Sequence, residues 1–362
     1  MAAAPTAPLR IAQIAPLWAS VPPSRYGGTE AIVHLLTEEL VRRGHEVTLF
    51  ASGDSRTSAR LRPGCEENLV DAMAKGAAWF YEGYANANLA QAIRDSSSFD
   101  VINCHLGCGA IPVGTLSKTP VVHRINSALT PDDLWMLGRH PGVPIIAQTR
   151  SQIASVPPPH RAGLRVIHNG IDIEAFEPSF RPGAYLAYLG RMSPLKNPLD
   201  AIRIAREAGL PILLAGAPEN QEEEAYFAGQ IQPLLDGRDA ACIGRVGHAE
   251  KNEFLKNAAA LLFPVQWEEP FGNVMVEAMA CGTPVLAYDR GAVSEVVDYG
   301  TTGFHADSAQ ELARLVPRAL ALGRAAIRAR ALERFSHTRM VDEYLEVYRS
   351  LAGAAESYAH LA

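Results

Sequence analysis

The sequence predicts an α/β protein made of two similar halves, each a parallel sheet with helices on both faces. Short apolar segments alternate with amphipathic stretches of about ten to fifteen residues, which is the pattern of βα units. The length of 362 residues allows two domains at about 150 residues each. The 29 glycines and 25 prolines cluster between apolar segments, which indicates many turns between strands and helices.

The apolar segments predict strands in both halves. In the first half we expect them at Leu9–Ile14, Glu46–Ala51, Asp100–Cys104, Thr119–Ile125 and Pro144–Ala147. In the second half we expect them at Ala184–Gly190, Pro211–Ala215, Ala240–Ile243, Ala258–Pro264 and Val285–Tyr288. The first helix follows the first strand, with Thr29 as its expected N-cap and Gly44 as its end.

A turn-rich segment separates the halves. A strand-like Arg165–His168 meets the Asn169-Gly170 turn, and a charged stretch follows that ends at Pro182-Gly183. We therefore predict a first domain over 1–170 and a second from 171 onward. The tail from Ala306 to about Leu351 is predicted to be helical.

Charge and cysteine content exclude several classes of protein. A net charge of −6 provides no general attraction for nucleic acid, and no run approaches the roughly 20 apolar residues of a membrane-spanning helix. The five cysteines form no CxxC pair, which favours a reducing compartment, the cytoplasm. Cys104, His105 and Cys108 lie close together, but no second pair of soft ligands follows, so no metal site is predicted.

Cationic and glycine residues follow two predicted strands, where an open parallel sheet binds its ligands. Arg191 comes directly after one strand, and Lys196 precedes a helix that begins with Pro198. Two cations and a helix N-terminus suit a diphosphate, although two solvated surface cations are the alternative. Gly27 and Gly28 follow the first strand, where they let backbone amides approach a ligand or form a tight turn.

One glutamate precedes and another lies within a predicted buried helix that begins at Asn273 and is closed by Gly282 and Pro284. Glu277 falls inside this helix, so its carboxylate needs a partner, either sugar hydroxyls or an internal lysine or arginine. Glu269 precedes the helix, near the amides of Gly272 and Asn273, and such a group suits a polyhydroxylated ligand.

Taken in order, these motifs resemble family 4 of the retaining glycosyltransferases from about Ile11 to Tyr348. The resemblance is carried by GGTE, VIHNGID, LGRMSPLKN, WEEPFGNVMVEAMACGTPV and RGAVSEVVDYGTTGF. Its most specific parts are the E-x7-E motif of Glu269 and Glu277 and the G-R-x4-K motif from Gly190 to Lys196. The family implies the GT-B fold, with two Rossmann-like domains facing across a cleft. The acceptor domain would be 1–170, the nucleotide-sugar domain 171–340, and the C-terminal helix, 341–362, would return to the first domain.

The resemblance also implies roles for the site residues. Arg191 and Lys196 would bind the diphosphate, and Glu277 the ribose hydroxyls. Glu269 would bind the transferred sugar together with the amides of Phe271, Gly272 and Asn273. Gly27 and Gly28 would lie near the phosphates. Val246 and Lys251, which are weaker matches, would contact the base and phosphate side of the donor.

One position departs from the family pattern. The family has a histidine near the transferred sugar at the end of a strand, where this chain has Asn126. An asparagine can hydrogen-bond a hydroxyl but carries neither a proton nor a charge. Either Asn126 performs part of that role, or His105 points into the same cleft, while His123 falls on the opposite face of the strand from Asn126.

The expected function is transfer of a hexosyl group with retention, from a nucleotide-diphosphate sugar to a hydroxyl group, without a metal or other cofactor. UDP is the favoured nucleotide and GDP the next. The acceptor would be a small molecule, a lipid-linked sugar or a glycan, and peripheral membrane contact stays open. Two alternative functions are compatible with the same fold: a glycoside phosphorylase, and a sugar-nucleotide-binding module with a decayed site.

Overall fold

A computed structural model describes residues 7–24 and 27–359 of the chain, which divides into two compact units. Unit 1 contains the chain up to Gly170 together with the segment from His337 onward, and unit 2 spans Ile171–Ser336. Ser336 has extended backbone, so the helix before it ends and the last helix begins at His337, earlier than the boundary expected at residue 341.

Unit 1 is a seven-stranded parallel sheet covered by helices. Its strands are β1 (Arg10–Ile14), β2 (Glu46–Ser52), β3 (Arg60–Cys65), β4 (Val101–Cys104), β5 (Val121–Arg124), β6 (Ile145–Ala147) and β7 (Leu164–Val166). Its helices are α1 (Gly28–Arg42), α2 (Leu69–Ala74), α3 (Tyr81–Arg94), α4 (Ile111–Gly114), α5 (Pro131–Arg139) and, from the end of the chain, α13 (His337–Ala359). The strand order is β3-β2-β1-β4-β5-β6-β7, and all neighbouring strands are parallel.

Unit 2 repeats this plan with six parallel strands. They are β8 (Tyr185–Leu189), β9 (Ile212–Ala215), β10 (Ala240–Gly244), β11 (Ala258–Phe263), β12 (Val285–Tyr288) and β13 (Gly303–Ala306), in the order β10-β9-β8-β11-β12-β13. The helices are α6 (Pro198–Ala208), α7 (Gln221–Tyr226), α8 (His248–Lys256), α9 (Asn273–Ala280), α10 (Val293–Val296), α11 (Ala309–Leu320) and α12 (Arg324–Phe335).

Apolar side chains fill both faces of each sheet, which explains why the strands are nearly continuous apolar runs. In unit 1, Ile11 of β1 packs with Leu36 of α1 and Tyr344 of α13 on one face, while Phe50 and Leu89 belong to the core of the other. The last helix therefore completes the core of unit 1.

The predicted strands are confirmed, but β3 and β13 were not predicted. Both lie at the edge of their sheet. Strand β3 contains two arginines, a proline and a glycine, which an edge position tolerates because one side of the strand is not paired. An apolar-run criterion therefore misses such strands.

One expectation about helices was wrong. Helix α1 has Gly27 as its N-cap residue, so Thr29 lies within the first turn instead of capping it. The tail beyond Ala306 is helical, as predicted, and consists of α11, α12 and α13. Gly44 has φ +85 just after α1, as its predicted role as a helix end requires.

The two sheets reverse their strand order at equivalent places, between β1 and β4 in unit 1 and between β8 and β11 in unit 2. Open α/β sheets bind ligands at the carboxyl ends of strands beside such a reversal. Gly190 follows β8 and Pro264 follows β11. The loops that carry the predicted donor-binding residues therefore begin at this place in unit 2.

Candidate active site

The loop after β8 is held by contacts with neighbouring strands. The Gly190 N–H donates to the Ala215 carbonyl at 3.0 Å, and the Tyr188 hydroxyl donates to the Arg191 carbonyl at 2.7 Å. Gly216 has φ +144, and a Cβ there would lie 1.8 Å from the Gly190 oxygen. A glycine is therefore required where the ends of β8 and β9 meet.

Helix α6 begins at Pro198, as predicted, and Asn197 is its N-cap residue. The Asn197 side chain accepts a hydrogen bond from the Asp200 N–H at 3.2 Å, and its backbone is left-handed with φ 55. This cap fixes the preceding Lys196 relative to the helix.

The two predicted cations have different carboxylate partners. Lys196 Nζ lies 2.7 Å from Glu269 Oε2, and both side chains are largely buried. Arg191 Nη1 lies 3.5 Å from Glu219 Oε2 and 3.4 Å from Glu223 Oε1. The structure thus joins Lys196 to the first glutamate of the E-x7-E motif and turns Arg191 toward two glutamates that the sequence analysis had not considered.

The loop after β11 brings Glu269 to Lys196. The Gln266 N–H donates to the Leu195 carbonyl at 2.8 Å, which connects this loop to the one after β8. The Trp267 indole N–H donates to Glu269 Oε2 at 3.0 Å, and the Trp267 ring centre lies 4.8 Å from Lys196 Nζ. Trp267 is therefore a site residue that sequence reasoning missed, although its position two residues before Glu269 was a signal.

Helix α9 spans Asn273–Ala280, as predicted, and follows a tightly packed glycine. Gly272 has φ +80, and a Cβ there would lie 2.6 Å from Met275 Cε and 3.3 Å from Phe263 Cζ. Phe271 is buried in the core of unit 2, which anchors the loop that carries Glu269. The N-terminus of α9 and Glu269 thus belong to one closely packed segment.

The buried helix α9 presents Glu277 to an internal lysine, the second of the two partners that the sequence left open. Lys251 Nζ of α8 lies 2.6 Å from Glu277 Oε1. The same ammonium lies 5.6 Å from the ring centre of Phe176. Val246, just before α8, packs against the apolar core of unit 2. Both motif glutamates therefore pair with a lysine.

The RGAVSEVV segment, residues 290–297, packs against the loop that carries Glu268 and Glu269. The Gly291 N–H donates to Glu268 Oε2 at 2.9 Å, and the Ala292 N–H donates to the Glu269 carbonyl at 2.8 Å. Gly291 has φ +60, and a Cβ there would lie 2.4 Å from the backbone N and O of Glu269. This glycine is needed because two backbone segments touch.

In unit 1, Gly27 and Gly28 mark the start of α1. A Cβ on Gly27 would lie 2.7 Å from Pro23 Cβ and 3.1 Å from Glu30 Oε2. Gly27 therefore permits close packing at the turn that follows β1.

His105 and His123, the two histidines considered beside Asn126, are both buried. His105 is 1% exposed, and its Nε2 faces Asn103 Nδ2 and Gln13 Oε1, each at 2.9 Å. Burial holds the pKa of His105 well below its usual range and lowers the pKa of His123 to about 4. His105 does not point into an open site, and His123 is a packed core histidine.

Asn126 is held by two internal hydrogen bonds. Its Nδ2 donates to the His105 carbonyl at 2.6 Å, and its Oδ1 accepts from Arg124 Nη1 at 2.8 Å. Arg124 is itself 2% exposed and also contacts Asn169. The Asn126 amide thus has a defined orientation at the carboxyl end of β5.

Residues 7–24 and 27–359 contain no group of three or more histidine, cysteine, aspartate or glutamate residues that could hold a metal ion. No helix there is both long and apolar enough to cross a membrane.

Comparison with known families identifies the class of protein. Residues 26–175 match the model described as Glycosyltransferase Family 4, and residues 172–335 match the model described as Glycosyl transferases group 1. Together the two matches cover residues 26–335 without a gap. The chain belongs to the family 4 glycosyltransferases and is a glycosyltransferase.

Curated proteins similar to this chain have names more specific than the family descriptions. The D-inositol 3-phosphate glycosyltransferase of Mycolicibacterium smegmatis is 29% identical, with 89% of this chain and 86% of that protein covered. The Mycobacterium tuberculosis protein of the same description is 28% identical, with 90% and 79% covered.

Solved structures share the fold. AviGT4, a glycosyltransferase involved in avilamycin A biosynthesis, matches with a TM-score of 0.68 at 24% identity, covering 96% of this chain and 98% of that one. The Anabaena protein HepE, solved with UDP-glucose, matches with a TM-score of 0.70 at 19% identity, covering 94% and 100%. Sucrose-phosphate synthase from Thermosynechococcus elongatus matches with a TM-score of 0.74 at 19% identity, covering 96% and 100%. The fold is GT-B.

Proposed function

We propose that this glycosyltransferase moves a hexosyl group, with retention, from a nucleotide-diphosphate sugar to a hydroxyl group of a small-molecule, lipid-linked or glycan acceptor. The observation that carries the proposal is the pairing of each E-x7-E glutamate with a lysine in unit 2. Carboxylates that accept sugar hydroxyls and cations that bind phosphates are the two chemistries that a nucleotide-sugar requires.

UDP is the favoured nucleotide and GDP the second. The choice is supported by HepE, whose structure contains UDP-glucose, although at its level of identity it shares only the fold with this chain. The curated relatives act on an inositol phosphate according to their names, so inositol phosphates belong among the acceptors to test.

We assign Lys196 and Arg191 to the diphosphate and Glu277 to the ribose hydroxyls. Glu269 would accept hydroxyls of the transferred sugar, beside the amides of Phe271, Gly272 and Asn273. Lys251 and Val246 would lie on the base and phosphate side. In unit 1, Gly27, Gly28 and Asn126 remain our candidates for ligand contacts.

The ion pairs prepare the donor site. Each lysine is held by a carboxylate, so its charge is compensated within the protein and its position is fixed before the ligand arrives. On binding, a donor phosphate would replace the carboxylate as the partner of Lys196, while Glu269 would accept a sugar hydroxyl. Glu269 keeps hydrogen-bond donors in this exchange, because the sugar hydroxyls enter together with the phosphate.

In the proposed reaction, the bond between the sugar C1 and the diphosphate oxygen breaks as the acceptor oxygen bonds to C1 on the same face. The acceptor proton goes to the departing phosphate, so no protein base is required. Lys196 and Arg191 would stabilise the charge that develops on the leaving diphosphate, a task that Mg²⁺ performs in other enzymes. We therefore propose transfer without a metal.

A reducing, cytoplasmic location is proposed for this reaction. It is supported by the five cysteines, all of which are free. Burial raises the pKa of Cys104, Cys108 and Cys281 to about 12, so these thiols are held in their unreactive form.

A panel of UDP-, GDP- and ADP-sugars tests the proposal, first by thermal shift and then by release of the nucleotide diphosphate with a set of acceptors. A donor should raise the melting temperature, since ligands that bind the native state stabilise it. NMR of the product would show retention as an unchanged anomeric configuration, and added chelator should leave the rate unchanged.

Glu269→Ala should lower turnover far more than it lowers affinity for bare UDP. Loss of UDP binding with intact sugar transfer would show that the two glutamates have been assigned in the wrong order. Formation of a sugar 1-phosphate from a glycan and phosphate would instead identify a phosphorylase, and donor binding without any transfer would identify a binding module.

A further inference from the structure

We propose that Trp267 is a positioning residue of the transfer reaction, which aligns Glu269 for the transferred sugar and Lys196 for the leaving diphosphate. The inference rests on the proposed function, because the roles of these two residues do. Its evidence is a set of mutual contacts within unit 2.

Trp267, Glu269 and Lys196 each contact the other two. The indole N–H of Trp267 donates to Glu269 Oε2 at 3.0 Å, and Lys196 Nζ lies 2.7 Å from the same oxygen. Lys196 Nζ also lies 4.8 Å from the Trp267 ring centre, within the range of a cation–π interaction. One tryptophan thus supports the carboxylate through its N–H and the ammonium through its ring.

Burial makes these contacts strong. The side chains of Lys196 and Glu269 are 16% and 10% exposed, so water competes weakly for either charge. A hydrogen bond to a charged group is roughly twice as strong as one between neutral groups. The Trp267 N–H therefore selects one orientation of the Glu269 carboxylate.

In that orientation the two carboxylate oxygens of Glu269 have different partners. Oε2 accepts from both Trp267 and Lys196. We assign Oε1 as the oxygen that accepts a hydroxyl of the transferred sugar. A phenylalanine at position 267 would keep the ring beside Lys196 but would lose the hydrogen bond that sets this division.

The test is Trp267→Phe, with Trp135→Phe as the matched control. Trp135 of α5 also has a cation over its ring, Arg139 at 4.9 Å, but it lies in unit 1 and is 57% exposed. We expect Trp267→Phe to lower kcat at least tenfold and to change the donor KM less than about threefold. Trp135→Phe should change neither.

A double-mutant cycle separates positioning from packing. In a Glu269→Ala background, measured by single turnover, Trp267→Phe should cost less than about twofold, because the residue it positions is gone. An equal loss in both backgrounds, or a loss confined to KM, would overturn the proposal.

The indole N–H signals provide a readout that does not depend on activity. The chain has 4 tryptophans, so an ¹⁵N-labelled sample has four indole signals, and Trp267→Phe identifies the one from Trp267. Glu269→Ala should shift that signal and leave the other three in place. A signal that does not respond overturns the contact itself. If the signal responds but the wild-type protein transfers no sugar from any donor, the proposed function fails and the positioning role fails with it, while the contact stands.

Discussion

Lys251 of α8 and Glu277 of α9 form an ion pair in which Nζ lies 2.6 Å from Oε1, and the two side chains are 22% and 15% exposed. The pair places a glutamate of the E-x7-E motif against a lysine 26 residues earlier in the chain. Lys196 and Glu269 repeat this relationship at the other end of the motif. The proposed donor site of unit 2 thus contains two lysine–glutamate pairs.

Glu277→Ala should weaken UDP binding at least tenfold, because the proposed acceptor for the ribose hydroxyls is removed. It should also lower the free energy of unfolding by about 1–3 kcal/mol, since Lys251 is left without its partner in a partly buried position. Calorimetry with UDP and urea unfolding measure the two effects.

Glu253→Ala is the control for this change, because Glu253 pairs with Lys256 on the same helix and is 61% exposed. It should alter stability by no more than about 0.5 kcal/mol and leave UDP binding intact. Wild-type affinity for UDP in Glu277→Ala would contradict the assignment of Glu277.

Lys196→Ala and Arg191→Ala should each weaken UDP binding far more than uridine binding, because both cations are assigned to the phosphates. A lost contact between charged groups predicts a decrease of about tenfold or more in UDP affinity. Arg203→Ala, which removes an exposed arginine paired with Asp200, should leave both affinities unchanged. Equal losses for UDP and uridine would refute the phosphate assignment.

Gly291→Ala should displace the loop that carries Glu268 and Glu269. The new Cβ would lie 2.4 Å from the backbone of Glu269, so the loop has to move, and we expect a loss of about 2–4 kcal/mol in stability together with a lower kcat. Gly300→Ala is the control. Gly300 also has positive φ (+76), but a Cβ there would lie 4.0 Å from the nearest side-chain atom, Phe304 Cε1. It should cost only about 1 kcal/mol. Similar results for the two variants would show that the contact with Glu269 does not matter.

His123 should make the stability of the protein depend on pH. Burial lowers its pKa to about 4, whereas in the unfolded chain its pKa is about 6.5. Between these values the unfolded chain binds a proton that the native protein does not, so the free energy of unfolding falls as pH decreases from about 6.5 to 4. The full effect is up to about 3 kcal/mol.

Urea unfolding between pH 4 and pH 7.5 measures this dependence. His105, whose pKa is also lowered, contributes in the same direction. Replacing His123 with glutamine should therefore make the dependence shallower without abolishing it. An unchanged slope would show that His123 is not the group that titrates.

Local sequence patterns were sufficient for most of the fold. Apolar strands such as Ala258–Phe263 are buried along their whole length, so an uninterrupted run of apolar residues marks them. Edge strands such as Arg60–Cys65 are half-exposed and carry charges, so the same criterion cannot recognise them. The start of α6 at Pro198 and the end of α9 near Gly282 depend on backbone preferences of single residues, which are equally local.

For the site, sequence alone indicated the candidate residues: two cations after one strand, one glutamate before a helix and one within it, and the glycines that let loops approach. Residue type and short spacing contain that information. Tertiary structure alone decided the partners, because the pairing of Lys196 with Glu269 spans 73 residues and that of Lys251 with Glu277 requires two helices to pack. It also excluded His105 from an open site and brought Trp267 into contact with Glu269, since burial and side-chain direction are set by the packed elements around a residue and not by its neighbours in the chain.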